Sequence, residues 1–218
     1  MWHKIEKPEA IPVRLRVGDE CYYARRYVAG GNFGALEANQ LIRNFKKPAD
    51  RRGKAEWKYK VYAIEKFAAE LGQFIECGNL CAIPGSKRRD DRAYDSRLDD
   101  VLDLLSSRNR EIIVERPFEV TVSHQAAHTG GERSADSFYE MLDWTGFKKT
   151  PGDIVLIDDV ITTGAHFKAC QRLIQEHCPG LKVYGVFWAK IIWPRRGTGK
   201  FRKKRSFIPM ILNKSGHK

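Results

Sequence analysis

The stretch 153–188 constrains this chain more than any other. Residues 153–157 form a continuous apolar run. Asp158 to His166 is first acidic, then rich in hydroxyls with one glycine. Phe167, Cys170, Leu173 and Ile174 recur at helical spacing before Pro179-Gly180, and 181–188 is a second apolar run. Strand, turn, helix and strand within about 36 residues is a βαβ unit. Such a unit demands parallel strands, hence helices covering the sheet faces. Upstream, Trp57, Val61, Ile64, Ala68 and Leu71 predict an amphipathic helix over 55–71, and residues 79–83 a short strand ending at Pro84. Leu98, Val101, Leu102 and Leu105 mark another helix, 111–122 is β-rich, and Ser134 fits the cap of a helix carrying Phe138, Met141 and Leu142. The expected fold is α/β: an open, twisted, mainly parallel sheet flanked by helices.

Composition narrows the class. The chain has 218 residues, 42% of them hydrophobic, with 24 aromatics to bury. That excludes a wholly disordered chain and supports one core with a small appendage. No apolar run approaches the roughly 20 residues needed to cross a bilayer, and residues 1–16 lack an apolar signal core. The cysteines are Cys21, Cys77, Cys81, Cys170 and Cys178, with no C-x-x-C pair. An odd number without a signal segment fits a reduced, cytoplasmic protein with buried thiols.

Charge is unevenly spread. The net charge is +12, but residues 195–218 hold nine Lys or Arg and no carboxylate, leaving +3 for the first 194. Arg195, Arg196, Lys200, Arg202, Lys203, Lys204 and Arg205 interleave with Phe201 and Phe207. This pattern suits phosphate contact and base stacking, so DNA or RNA is the expected partner of the tail; a solvated end or a protein-docking segment is the alternative. The expected organisation is an irregular N-terminal β region or hood at 1–50, a main domain at 51–194 and a basic tail at 195–218.

The chemistry concentrates after the strand 153–157. Ligands of open α/β sheets bind at the carboxyl ends of strands. Asp158 and Asp159 are expected there, where ribose hydroxyls and a magnesium ion would suit them. Val160 and Ile161 lead into Thr162, Thr163, Gly164, Ala165 and His166, which offer hydroxyls, a permissive backbone and the N–H groups of a helix start, a cradle for phosphate. A well-capped helix entry is the plainer reading of the same residues. Pro84, Gly85, Ser86 and Lys87 offer a second anion-binding turn at a strand end, with Arg88, Arg89, Arg92 and Arg97 beyond it; the alternative is a plain turn and a basic surface helix. Residues 123–133 lack periodicity and read as a mobile loop holding His124, His128 and Arg133.

The run Val155-Leu156-Ile157-Asp158-Asp159-Val160-Ile161-Thr162-Thr163-Gly164-Ala165 resembles the signature of type I phosphoribosyltransferases, which bind phosphoribosyl pyrophosphate (PRPP). Within that superfamily the chain is most similar to ComF-like proteins, through Asn44-Phe45-Lys46-Lys47 and the segment from Gln125 to Phe138. The resemblance spans roughly residues 40–190. It implies magnesium-dependent transfer of phosphoribosyl to an acceptor, with Asp158 and Asp159 on the ribose and metal, 160–166 on the 5′-phosphate, 84–87 on pyrophosphate, and Arg133 and His128 in a catalytic loop. It also implies a homodimer and a link to nucleic acid, as enzyme or as a non-catalytic accessory of DNA uptake or reverse-transcriptase-linked defence. The family usually has Thr where His166 stands here. Tyr22, Tyr23, Tyr27 and Phe33, or Trp188, Trp193 and Pro194, are candidates to cover an acceptor base, with core packing as the alternative.

Overall fold

A computed structural model describes residues 1–6, 14–30, 37–123, 135–148 and 152–193. Among these, the main sheet has six strands. They are β1 (His3–Lys4), β2 (Glu20–Val28), β3 (Gly78–Ala82), β4 (Ile112–Glu115), β7 (Ile154–Ile161) and β8 (Val183–Ile192), in the order β1-β2-β8-β7-β3-β4. Every pairing is parallel except β1 with β2. Two short strands, β5 (Phe118–Val120) and β6 (Leu142–Trp144), form a separate antiparallel pair. The helices are α1 (Glu37–Phe45), α2 (Trp57–Gly72), α3 (Arg97–Arg108), α4 (Ala135–Tyr139) and α5 (Ala165–His177). The fold is therefore an α/β open, mainly parallel sheet flanked by helices. No helix among the described residues is long and apolar enough to cross a membrane.

Both sheet faces are covered, as parallel strands require. On one face α1, α2 and α3 pack on Leu80, Ile112, Ile157, Val186 and Trp188. On the other, α5 lays Phe167, Cys170, Leu173 and Ile174 against Ile154, Leu156, Cys81 and Phe187, with Phe138, Phe118 and Leu142 alongside. The expected βαβ unit is present as β7-α5-β8. A Cβ at Gly185 would lie 2.9 Å from the Cys21 sulfur and 3.0 Å from the Phe167 ring, so glycine lets β2, β8 and α5 close on one another.

Several local expectations need correction. Residues 20–28 are one long strand paired with β8 along its length, rather than short irregular strands. Helix α1 was missed, although Ala38, Leu41, Ile42 and Phe45 follow the helical i, i+3, i+4, i+7 pattern and are buried. Helix α4 ends at Tyr139, and Leu142 belongs to β6, so the expected longer helix is a helix and a strand. The alternative reading of a basic surface helix after the 84–87 turn does not hold for residues 88–96, which have no helix. Trp188 is fully buried, stacked on Phe67 with centroids 4.8 Å apart, and so cannot cover a base.

The inward face of α2 is also shifted by one residue. Its buried stripe runs Lys60, Ala63, Phe67, Ala68 and Leu71, while Val61 is 41% exposed. Lys60 occupies a core position, so the apolar pattern alone pointed to the wrong neighbour. Accordingly, Phe67→Ala should cost about 3–5 kcal/mol in urea unfolding, and Val61→Ala about 0.5 kcal/mol or less. Equal costs would contradict this orientation.

Candidate functional site

Asp158 and Asp159 lie inside β7, not in the turn after it. β3 stops beside them: Ala82 is level with Ile157, and the Ile83 N–H bonds the Ile157 carbonyl at 2.9 Å. The turn 84–87 therefore leaves the sheet at the level where the carboxylate pair begins, and both sit toward the carboxyl ends of adjacent strands. The topology places the start of the 84–87 turn beside the carboxylate pair, with the 162–164 turn further along the same strand.

An extended strand sends successive side chains to opposite faces. Asp159 points to the face of α1 and α3, where it is 3% exposed. Arg97, at the start of α3, reaches its Oδ2 through Nε at 3.1 Å and Nη2 at 2.9 Å, and Lys46, just past α1, reaches Oδ1 at 2.9 Å. The same guanidinium bonds Asp95 at 2.7 Å through Nη1. Asp95 in turn receives the buried Lys60 ammonium on both oxygens at 2.7 Å, and Lys60 also bonds the Lys47 carbonyl at 2.6 Å. Three helices and the central strand are thus joined by one chain of alternating charges. Burial opposes ionisation of Asp159, but Lys46 and Arg97 outweigh it and hold its carboxyl below the ordinary range. Burial pulls the Lys60 ammonium down while Asp95 resists.

Asp158 takes the other side of the strand. It is half-buried and accepts the Asp159 N–H at 2.7 Å. Burial, and then the neighbouring charge of Asp159, raise its carboxyl to about 7. One carboxylate of the pair is held ionised by cations, and the other is poised near neutrality.

Ile161 ends β7, and the turn Thr162-Thr163-Gly164 delivers the chain into α5. Gly164 caps the helix with φ +76, a left-handed conformation that disfavours a side chain. Both threonines are exposed, and the Thr163 hydroxyl accepts the Ala165 N–H at 3.3 Å. Residues 14–19 lie over this turn. The Arg14 N–H bonds the Thr163 carbonyl at 3.0 Å, and Leu15 closes on Gly164 so that a Cβ there would be 3.1 Å from its Cδ2. Asp19 fixes this segment to α5 through Lys168 at 2.9 Å and Gln171 at 3.1 Å. His166 stacks on Phe138 with centroids 3.8 Å apart and rings within 12°.

In the other turn, Gly85 is exposed and Ser86 and Lys87 are half-buried. Lys87 lies 3.9 Å from Asp91, and Arg88 is held by Asp90 at 2.7 Å. Arg89 pairs with Asp99 at 3.2 Å. His124, His128, Arg133, Phe33, Pro194 and the seven tail cations Arg195, Arg196, Lys200, Arg202, Lys203, Lys204 and Arg205 lie outside the described residues. Among the described residues no three His, Cys, Asp or Glu side chains converge as a metal cage. A hollow of about 470 Å³ bordered by His3, Tyr23, Arg25, Arg26, Glu37 and Ala38 involves, of the residues singled out above, only Tyr23, and none of the phosphate-turn or carboxylate residues.

Sequence reasoning missed Lys46, Lys60 and Asp95 as site-building residues and set Arg97 beyond the 84–87 turn, with a basic surface helix as the alternative, rather than on Asp159. The spacing of Asp95 and Arg97 carried no periodic signal. Only a buried acid in need of a partner would have pointed to them.

No family model matches the chain, and no curated protein matches it. Among solved structures it is similar to a Helicobacter pylori xanthine-guanine-hypoxanthine phosphoribosyltransferase, at 12% identity and a TM-score of 0.33, over 63% of this chain and 88% of that one. It is also similar to a Staphylococcus aureus hypoxanthine phosphoribosyltransferase, at 17% identity and a TM-score of 0.30, over 65% and 69%. Overlap at this level carries no argument about substrate.

Two outcomes test the electrostatics. Arg97→Met leaves the buried Asp159 and the half-buried Asp95 with fewer cations and should cost about 3–5 kcal/mol in chemical denaturation; a loss below ~1 kcal/mol would contradict the ion-pair chain. Folded Asp158 keeps its proton to about pH 7, whereas an unfolded aspartate releases it at about 4. The folded protein therefore binds more protons in that window, and its stability falls as pH rises through it. Asp158→Asn should melt above the parent at about pH 8, with the gap closing toward about pH 4; a gap that does not depend on pH would refute the raised carboxyl.

Proposed function

We propose that the carboxyl ends of β3 and β7 bind a phosphorylated pentose, with PRPP the substrate, and that the chain is a phosphoribosyltransferase-like protein. One observation carries the reading. A carboxylate pair stands level with the start of the 84–87 turn of the neighbouring strand, and two residues further on the exposed Thr162 and Thr163 and the buried Gly164 lead into the N-terminus of α5.

The 5′-phosphate sits on the turn from Thr162 to His166, where helix N–H groups and two hydroxyls meet it. Ser86 and Lys87 take the pyrophosphate, and Arg133 approaches it from the loop 123–133, as the family resemblance suggests. Asp158 accepts a ribose hydroxyl and faces the positive charge that grows at C1. Asp159, already neutralised by Arg97 and Lys46, fixes the strand end that presents Asp158, and release of the exposed Lys46 would free it for the second hydroxyl. Asp158 would be the protein carboxylate that holds a magnesium ion, which would supply neutralisation of charge on the departing pyrophosphate. The C1–O bond to pyrophosphate breaks with its electron pair leaving on oxygen, and an acceptor atom that gives up a proton bonds C1. The protein's contribution is placement and fixed charge.

A second reading, a non-catalytic PRPP or nucleotide-binding accessory protein that contacts DNA or RNA through the tail 195–218, is favoured by a specific observation. Asp159 is occupied by the protein's own cations, and His166, which stands in place of a threonine, is stacked on Phe138. Calorimetry with PRPP and magnesium should give binding that Asp158→Asn weakens at least tenfold. Binding indifferent to that change, or none by the parent, would overturn the pentose site. Release of pyrophosphate with a nitrogenous acceptor selects the enzyme, and binding without release selects the accessory role.

A further inference from the structure

We propose that the folded body binds single-stranded nucleic acid on the surface formed by the α1–α2 connection and the first turns of α2. The surface is distinct in sequence from the basic tail and adjoins the Asp159 site through Lys46, but the proposal does not rest on the PRPP reading.

Residues 43–62 hold eight Lys or Arg against two carboxylates, Asp50 and Glu56. Of the eight, only Lys60 is buried, and Lys46, Arg51, Arg52, Lys54 and Lys58 are exposed. Set among them are two outward rings, Tyr59 at 47% and Tyr62 at 53% exposure. They stand three residues apart on α2 and are therefore neighbours on one helix face. Cations stand by Tyr59 and by the neighbouring Trp57: the Lys47 and Lys58 ammonium groups lie 5.5 and 5.3 Å from the Tyr59 centroid, and the Arg52 guanidinium lies 5.5 Å from that of Trp57.

A merely solvated face has no use for two exposed rings. Their loss of water on binding must be met by something flat and apolar that brings negative charge with it. An unpaired strand of nucleic acid meets both demands, because its bases stack on aromatic faces while its phosphates meet the surrounding Lys and Arg. An acidic peptide would satisfy the charges but leave the rings without a flat partner. Lys46 adjoins this surface in sequence and reaches Asp159 at 2.9 Å, so a strand lying on it runs near the Asp159 ion-pair chain.

The test is fluorescence anisotropy of a labelled oligothymidine with the full-length chain, without PRPP, across a salt series. Four proteins are compared: the parent, Tyr59→Ala/Tyr62→Ala, Arg52→Gln/Lys58→Gln, and a full-length variant with the seven cations from Arg195 to Arg205 changed to Gln. The substituted residues on α2 are exposed, so melting curves should stay close to the parent's. The tyrosine variant should lose roughly tenfold or more in affinity with an unchanged salt slope. The charge variant should lose affinity and flatten the log–log salt slope by about 1.4. The tail variant should retain salt-dependent binding. Failure of the parent to bind, parent-like binding by both surface variants, or complete loss in the tail variant would overturn the proposal. So would binding to phosphatidylserine vesicles in place of the oligonucleotide. None of these outcomes bears on PRPP calorimetry, so this surface and the pentose site fail separately.

Discussion

A carboxylate in the middle of a parallel sheet cannot remain charged without company. Asp159 is such a group, and the architecture around it follows from that requirement. Arg97 at the head of α3 and Lys46 at the foot of α1 converge on it, and Asp95 and Lys60 continue the alternation into α2. The cost of taking these charges from water is offset only if every member finds its partner. The relative placement of three helices and the central strand is thereby tied to one strand residue.

The same arrangement divides labour between two adjacent acids. Strand alternation sends Asp159 toward cations and Asp158 toward a half-buried position on the other side of β7, where no described residue forms an ion pair with it. Charge on Asp159 then makes charge on Asp158 harder to hold. Beyond them, the Thr-Gly turn is covered on one side by residues 14–19 and left exposed at its threonines. The result is a site with one fixed anion, one titratable anion and a helix start, arranged within a single strand-turn-helix passage.

Much of the fold was legible in the sequence because β7, α5 and β8 each carry a simple signal: unbroken apolar runs for strands covered on both faces, and i, i+3, i+4 spacing for the helix. The errors trace to charge. Reading Asp158 as the start of a loop assumed that an acid ends a strand, whereas Arg97 and Lys46 let the strand continue to Ile161. Reading Val61 as inward assumed that Lys60 must face water, whereas Asp95 keeps it in the core. The break between α4 and β6 was hidden because Met141 and Leu142 prolong the helical spacing, although Leu142 pairs with Val120. Residue types at the site were legible at 158–166 and at 84–87. The cations that serve Asp159 were not, because contacts across 62 and more residues leave no local period.

The central claim is that the β7–α5 passage grips a phosphorylated pentose. A crystal structure of the full chain with PRPP and magnesium tests it most directly. The account predicts phosphate within hydrogen-bond distance of the Thr162–Ala165 backbone, about 3 Å, and a ribose hydroxyl on Asp158. A ligand seated elsewhere, or an unliganded turn under saturating PRPP with residues 14–19 filling that space, would contradict it.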